Sequence, residues 1–133
     1  MIDVLATAIK IRYDSGSGNA LRALTSGIYP DEAPQNVDRN TIYITYSFIG
    51  TPSDWTFETT FDNPLVQFSL WSNKATSLSV MEAGAVLITL YNDALLTVSG
   101  WTMVRADKVG ERVLDDPDKG YQFIVEMQYK LGT

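Results

Sequence analysis

Gly120-Tyr121-Gln122-Phe123-Ile124-Val125-Glu126-Met127-Gln128-Tyr129-Lys130-Leu131 carries the most regular pattern in the chain. Tyr121, Phe123, Val125, Met127, Tyr129 and Leu131 take every second position, and Gln122, Glu126, Gln128 and Lys130 fall between them. Successive side chains of an extended strand point to opposite faces, so this period of two reads as a strand with one apolar and one polar face.

Four more strands are expected upstream. Trp101-Thr102-Met103-Val104-Arg105 follows Gly100 and is read as a short strand, with a loop leading on to the last one. From about Leu65 to Trp71, Val66, Phe68 and Leu70 oppose Gln67, Ser69 and Trp71. From Thr41 to Ile49, Ile42, Ile44, Tyr46 and Phe48 oppose Tyr43, Thr45 and Ser47. Gly50-Thr51-Pro52-Ser53-Asp54 reads as a turn, and Trp55-Thr56-Phe57-Glu58-Thr59-Thr60-Phe61 as one further strand.

Helical spacing occupies the rest. Ile2, Leu5, Ile9 and Tyr13 predict a helix from about Asp3 to Tyr13, ended by Asp14-Ser15-Gly16-Ser17-Gly18. A short helical turn follows over Asn19 to Leu24, closed by Gly27. Ile28-Tyr29-Pro30 leads into a loop over Asp31 to Asp38. Asn73 is a candidate N-cap for a longer helix from Lys74 to Asn92, with Leu78, Met81, Ala85, Ile88 and Asn92 as its apolar stripe, widened by Val80, Leu87 and Tyr91. The order is α-(α)-β-β-β-α-β-β. It implies an α+β fold: an antiparallel or mixed sheet of about four to five strands with two main helices packed on one face. Residues 1–133 are read as a single domain, with no internal repeat and no linker.

Composition narrows the function classes. The chain has 133 residues, 45% of them hydrophobic, with seven Tyr, five Phe and three Trp, enough for one core and contrary to disorder. It contains neither Cys nor His. That excludes disulfides, thiolate zinc sites and cysteine nucleophiles, and removes the commonest general base. A net charge of −6 disfavours a tight grip on a phosphate backbone. No basic-then-apolar leader opens the chain, and no run of about 18 apolar residues is present.

The residues that invite a chemical reading mostly decline it. Counted from Asp14, a calcium loop would need glycine at the sixth position and a carboxylate at the twelfth, where Asn19 and Thr25 stand. Gly16-Ser17-Gly18 follows a helix and lacks the Lys-Ser/Thr pair of a phosphate-binding loop. Asp115-Asp116-Pro117-Asp118 reads first as a solvated turn and second as a weak site for a hard cation. No histidine is available to activate a serine, so no catalytic residue, cofactor site or metal site is assigned.

Interfaces are the better candidates. The segment from Thr51 to Asn63 holds Trp55, Phe57 and Phe61 with Asp54, Glu58 and Asp62 and no base, and Trp71 follows on the next strand. Aromatics are common interface anchors, although on a strand they are as often core. Arg105, Lys108, Arg112 and Lys119 are expected in or beside the last loop, on the other side of the molecule. An acidic aromatic arm meeting such a basic segment is a head-to-tail contact of the kind that closes rings. Trp55, Phe57, Phe61, Trp71, Arg105 and Arg112 are therefore the candidate self-assembly residues.

Taken in order, the chain resembles the tail-terminator (tail-completion) proteins of long-tailed bacteriophages. The resemblance runs through the N-terminal helix, the Asn19–Leu24 turn, Gly27-Ile28-Tyr29-Pro30, Ala33-Pro34-Gln35, the Ile42–Phe48 strand, Gly50-Thr51-Pro52, the Val66–Trp71 strand, the long Ala-containing helix and the final Gly120–Tyr129 strand. It implies a non-enzymatic virion protein, assembled in the host cytoplasm and located at the head-proximal end of the tail. It also implies a ring, usually a hexamer, that caps the tail tube and stops its polymerisation. The ring would bind tail tube protein on one side and the head–neck connector on the other, with DNA passing its lumen unbound. Another phage ring subunit (a neck connector or tube protein) is the nearest alternative, and a small-molecule-binding α+β domain a more distant one.

Overall fold

The final alternation does become a strand: β7 (Gly120–Gly132) is the longest-paired strand in a computed structural model that describes residues 2–50, 53–55, 60–73, 77–116 and 120–132. The other strands are β1 (Ile28–Pro30), β2 (Tyr43–Gly50), β3 (Ser53–Trp55), β4 (Thr60–Asp62), β5 (Leu65–Ser72) and β6 (Thr102–Asp116). All seven join one sheet. Its body runs β1-β2-β5-β7-β6, parallel between β1 and β2 and antiparallel elsewhere. The β3-β4 ribbon continues the β2-β5 hairpin and pairs with the end of β7 through Asp62↔Leu131 and Phe61↔Gly132.

Three helices, α1 (Ile2–Asp14), α2 (Asn19–Leu24) and α3 (Ser77–Tyr91), cover one face of this mixed sheet, as the α+β reading expects. Register explains which face. Val125, Phe68 and Tyr46 are successive cross-strand partners, as are Phe123, Leu70 and Ile44, so each row presents its apolar side chains together. Leu5, Ile9, Leu21, Leu87 and Tyr91 close over them in one buried cluster. Phe68 and Tyr91 stack at 5.0 Å between centroids, an arrangement favoured beyond the area it buries.

Local detail departs from the sequence reading in five places. β1 was assigned no element, only a lead into the Asp31–Asp38 loop; three residues ending in proline give no alternation to detect, and only pairing such as Ile28↔Ile44 makes them a strand. Trp55 and the Thr60-Phe61 pair, read as parts of one strand, belong to two antiparallel strands, β3 and β4, in which Trp55 and Thr60 are register partners. β6 extends far past Arg105, so Arg105, Lys108 and Arg112 are strand residues and not loop residues. Its register shifts between Met103 and Arg105 and again between Lys108 and Gly110. Each bulge inserts one residue and reverses the alternation, which hides the strand from a period-two test.

The fourth departure is the rotation of α3. Val80, Ala83, Leu87, Leu90 and Tyr91 are buried, whereas Leu78, Met81 and Ala85 of the expected stripe face outward. Glu82 is the single charge between Ser77 and Tyr91, so hydrophobicity alone gives little contrast between faces. Gly84 decides the matter: a Cβ there would lie 2.5 Å from the Phe123 ring, so only glycine lets the helix approach β7 this closely. Between α1 and α2, the Gly16–Gly18 stretch expected as loop is a 3-10 turn. The Arg22 guanidinium holds it by donating to the Tyr13, Ser15 and Asn19 oxygens. The Thr51-Pro52 turn, Phe57, the expected helix start at Lys74 and the Pro117-Asp118-Lys119 turn lie outside the described residues. Asn73, the expected N-cap, precedes Ser77 across the same undescribed gap.

Two buried tyrosines make the core testable. Tyr91 donates its hydroxyl to the Ile9 carbonyl at 2.8 Å, whereas the buried Tyr129 hydroxyl has no partner among the described residues. Tyr91→Phe should cost about 1 kcal/mol, and Tyr129→Phe should be neutral or stabilising, because it removes an unsatisfied polar atom. Burial pushes both hydroxyls well above the ordinary value of 10.0. The unfolded chain therefore releases these protons first: stability from the neutral forms is complete below about pH 10 and declines as pH rises further. Urea midpoints across that range should fall less steeply in Tyr129→Phe than in the parent protein.

Candidate interaction surface

The face of the sheet opposite the helices carries the other half of each strand's alternation. Tyr43, Thr45 and Ser47 of β2, Gln67, Ser69 and Trp71 of β5, and Gln122, Glu126, Gln128 and Lys130 of β7 alternate with the core residues and share this outer face. Ile124 lies in their midst and is buried. Gln122 Nε2 donates to Ser69 Oγ at 3.1 Å, and Trp71 Nε1 donates to Thr45 Oγ1 at 3.0 Å. These cross-strand bonds fix polar side chains in place on an otherwise open sheet. Trp71 is thus half-buried on the outer face and not part of the helical core.

One end of that face is walled by the crossover from β1 to β2. Because those strands are parallel, the chain must return along the sheet before β2 can begin. The return is stitched down by Asp31 N–H to the Tyr46 carbonyl at 2.8 Å and Asn73 N–H to the Arg39 carbonyl at 2.9 Å. An open cleft of about 510 Å³ results, bounded by Asp31, Glu32, Arg39, Tyr43, Thr45 and Trp71. Arg39 lies over the Tyr43 ring, 5.0 Å from its centroid, a cation–π contact. Asp31 adopts φ 60°, a left-handed conformation that Asp tolerates better than most residues.

At the opposite edge β6 pairs with no described strand beyond β7; Asp93 N–H donates to the Ala106 carbonyl and Lys108 N–H to Asn92 Oδ1, both at 2.8 Å, while Val104, Val109 and Leu114 are exposed. Bulges and charge along such an edge oppose unlimited strand addition. Every mapped cation here already meets a carboxylate of its own chain: Arg105 Nε to Asp107 Oδ2 at 2.6 Å, Lys108 Nζ to Glu111 Oε1 at 3.4 Å, and Arg112 Nη1 to Glu126 Oε1 at 3.6 Å. Such exposed pairs hold their partners weakly and exchange readily.

The expected assembly residues therefore divide. Trp55 and Phe61 are register neighbours of the ribbon, and Phe61 is level with Gly132 and Thr102, which sets Arg105 at the same end of the sheet as the arm rather than across the molecule. Arg112 pairs in register with Ile124, roughly 20 Å further along β6 at about 3.3 Å per residue. Trp71 lies near the Arg112 level, since it is aligned with Gln122 and, through it, with Leu114. Phe57 is outside the described residues. Sequence reading missed Asp31, Glu32, Arg39 and Tyr43, whose convergence depends on the parallel crossover and leaves no local signal.

The described residues contain no group of three His, Cys, Asp or Glu side chains able to hold a metal ion. No helix among them is long and apolar enough to cross a membrane.

This fold, a mixed sheet with helices on one face, is shared with other solved structures. The chain matches one from the virion of a native gene transfer agent particle with a TM-score of 0.75 at 12% identity, covering 93% of this chain and 90% of that one. A second solved chain, which carries no functional description, matches with a TM-score of 0.62 at 13% identity over 98% of this chain and 95% of that one. Neither a protein-family model nor a curated protein sequence matches.

The Trp71–Thr45 bond gives a direct check on the outer face. Thr45→Val keeps the side-chain volume and removes the acceptor, leaving a half-buried indole N–H unpaired; urea unfolding should show a loss of about 1 kcal/mol.

Proposed function

We propose that this chain is a structural protein of a phage-like virion and, more narrowly, a ring-forming tail terminator without enzymatic activity. The observation that carries the reading is the fold shared along nearly the whole chain with a component of a gene transfer agent virion. The order of sequence features supports the narrower role. The absence of any His or Cys supports a protein that works through its surfaces.

In this reading the subunits associate head to tail, each using different surfaces on its two sides, so that a suitable rotation closes a ring, expected to be a hexamer. One side of the ring seats on tail tube protein and halts its growth; the other receives the head–neck connector. DNA crosses the lumen, where an acidic subunit resists adhesion. The aromatic arm around Trp55, Phe57 and Phe61, together with Trp71 and Arg112, supplies candidate contacts. Leu78 and Met81, exposed on α3, add an apolar surface on the helical side.

Negative-stain microscopy of the purified protein with and without short tail tubes tests the role. Single rings capping tube ends are expected. Filaments that lengthen without limit would instead mark a tube protein, and subunits that ignore tubes at high concentration would defeat the terminator reading.

A further inference from the structure

The cleft walled by the β1–β2 crossover lies at one lateral side of the sheet, and β6 forms the opposite edge. We infer that this cleft is the receptor for the Arg112–Leu114 segment of β6 from a second copy of the chain, with the guanidinium received by Asp31 and Glu32 against Trp71. The inference rests on the ring reading and specifies the contact that closes it.

Three observations converge on that occupant. The first is chemical. The cleft offers two exposed carboxylates beside two aromatic rings, and one of those rings, Tyr43, already carries a guanidinium, that of Arg39. Trp71 stands beside it with its indole N–H fixed on Thr45, presenting a second aromatic surface of the kind that guanidinium groups stack on. The second is the donor. The Arg112 side chain is 56% exposed and meets Glu126 only at 3.6 Å, so its five donors remain open to exchange, and exposed Leu114 accompanies it on the same face.

The third is level. Trp71, Gln122 and Leu114 form one row across the sheet, and Ser69, Ile124 and Arg112 form the next. A rotation about an axis running along the strands carries one edge onto the other without changing height, so donor and receptor must share a level. Arg112 and Leu114 do. Arg105 is aligned with Lys130, several rows away, and is tied to Asp107 at 2.6 Å. The geometry thus separates two arginines that sequence reading treats alike. The contact joins different surfaces of identical subunits, which is what a closed ring requires and a two-fold dimer does not.

The test uses charge reversal in the full-length protein, with association followed by sedimentation velocity and by capping of tail tubes. Arg112→Glu and Glu32→Arg should each weaken self-association by about tenfold or more. Arg105→Glu should leave it within about twofold of the parent, since its pair is exposed and local. Mixing the Arg112→Glu and Glu32→Arg proteins in equal amounts should restore assembly, because every contact in an alternating ring then joins opposite charges. Unchanged urea midpoints establish that the variants fold, and Arg112→Ala with Glu32→Gln give the same comparison without introducing new charge. Single variants that assemble like the parent would overturn this contact and leave the ring reading intact. Variants that fail alone and also when mixed would overturn the pairing of Arg112 with Glu32. A parent protein that assembles neither alone nor on tubes would overturn both.

Discussion

The pairing of β7 on both of its edges is the constraint on which the rest of the structure depends. On one side it meets β5 over eight residues and then β4; on the other it meets β6 along its whole length. Its odd-numbered side chains can be buried only if β5 and β2 present theirs in the same rows, since a slip of one residue would turn Phe123, Val125, Met127, Tyr129 and Leu131 to the solvent. That register fixes where the helices lie, and Gly84 against Phe123 sets how closely they approach. It also fixes the outer face, where the alternate residues become a polar surface with Ile124 enclosed in it.

A fold built this way leaves two unlike sides to its sheet. The crossover required by the parallel β1–β2 pair builds an acidic, aromatic cleft on one. The long hairpin leaves a bulged edge with exposed Val104, Val109 and Leu114 on the other. Neither feature contributes much to the buried core. Both are what a subunit with distinct donor and receptor surfaces would need.

Much of the fold was legible because the relevant signals are local. The alternations in β2, β5 and β7 and the Leu5-Ile9-Tyr13 spacing in α1 each identify a buried face that the structure confirms. The remainder depends on partners distant in sequence. β6 hides its alternation behind two bulges, β1 is a strand only because β2 lies beside it, and α3 is too uniformly apolar for periodicity to fix its rotation. The candidate surface was less legible than the core for the same reason. Trp71 and Arg112 were singled out individually, but their shared level follows from strand register, and the Asp31–Tyr43 side of the cleft follows from the crossover. Arg105 and Arg112, close in sequence, end up far apart along a single strand.

Hydrogen–deuterium exchange on the protein free and assembled on tail tubes tests the central claim, that subunits join through opposite sides of one sheet. The account predicts slowed exchange in two separate segments on assembly: the crossover from Asp31 to Tyr43, and the distal half of β6 around Arg112 and Leu114. Protection confined to the α3 surface around Leu78 and Met81, with both sheet segments unchanged, would contradict it.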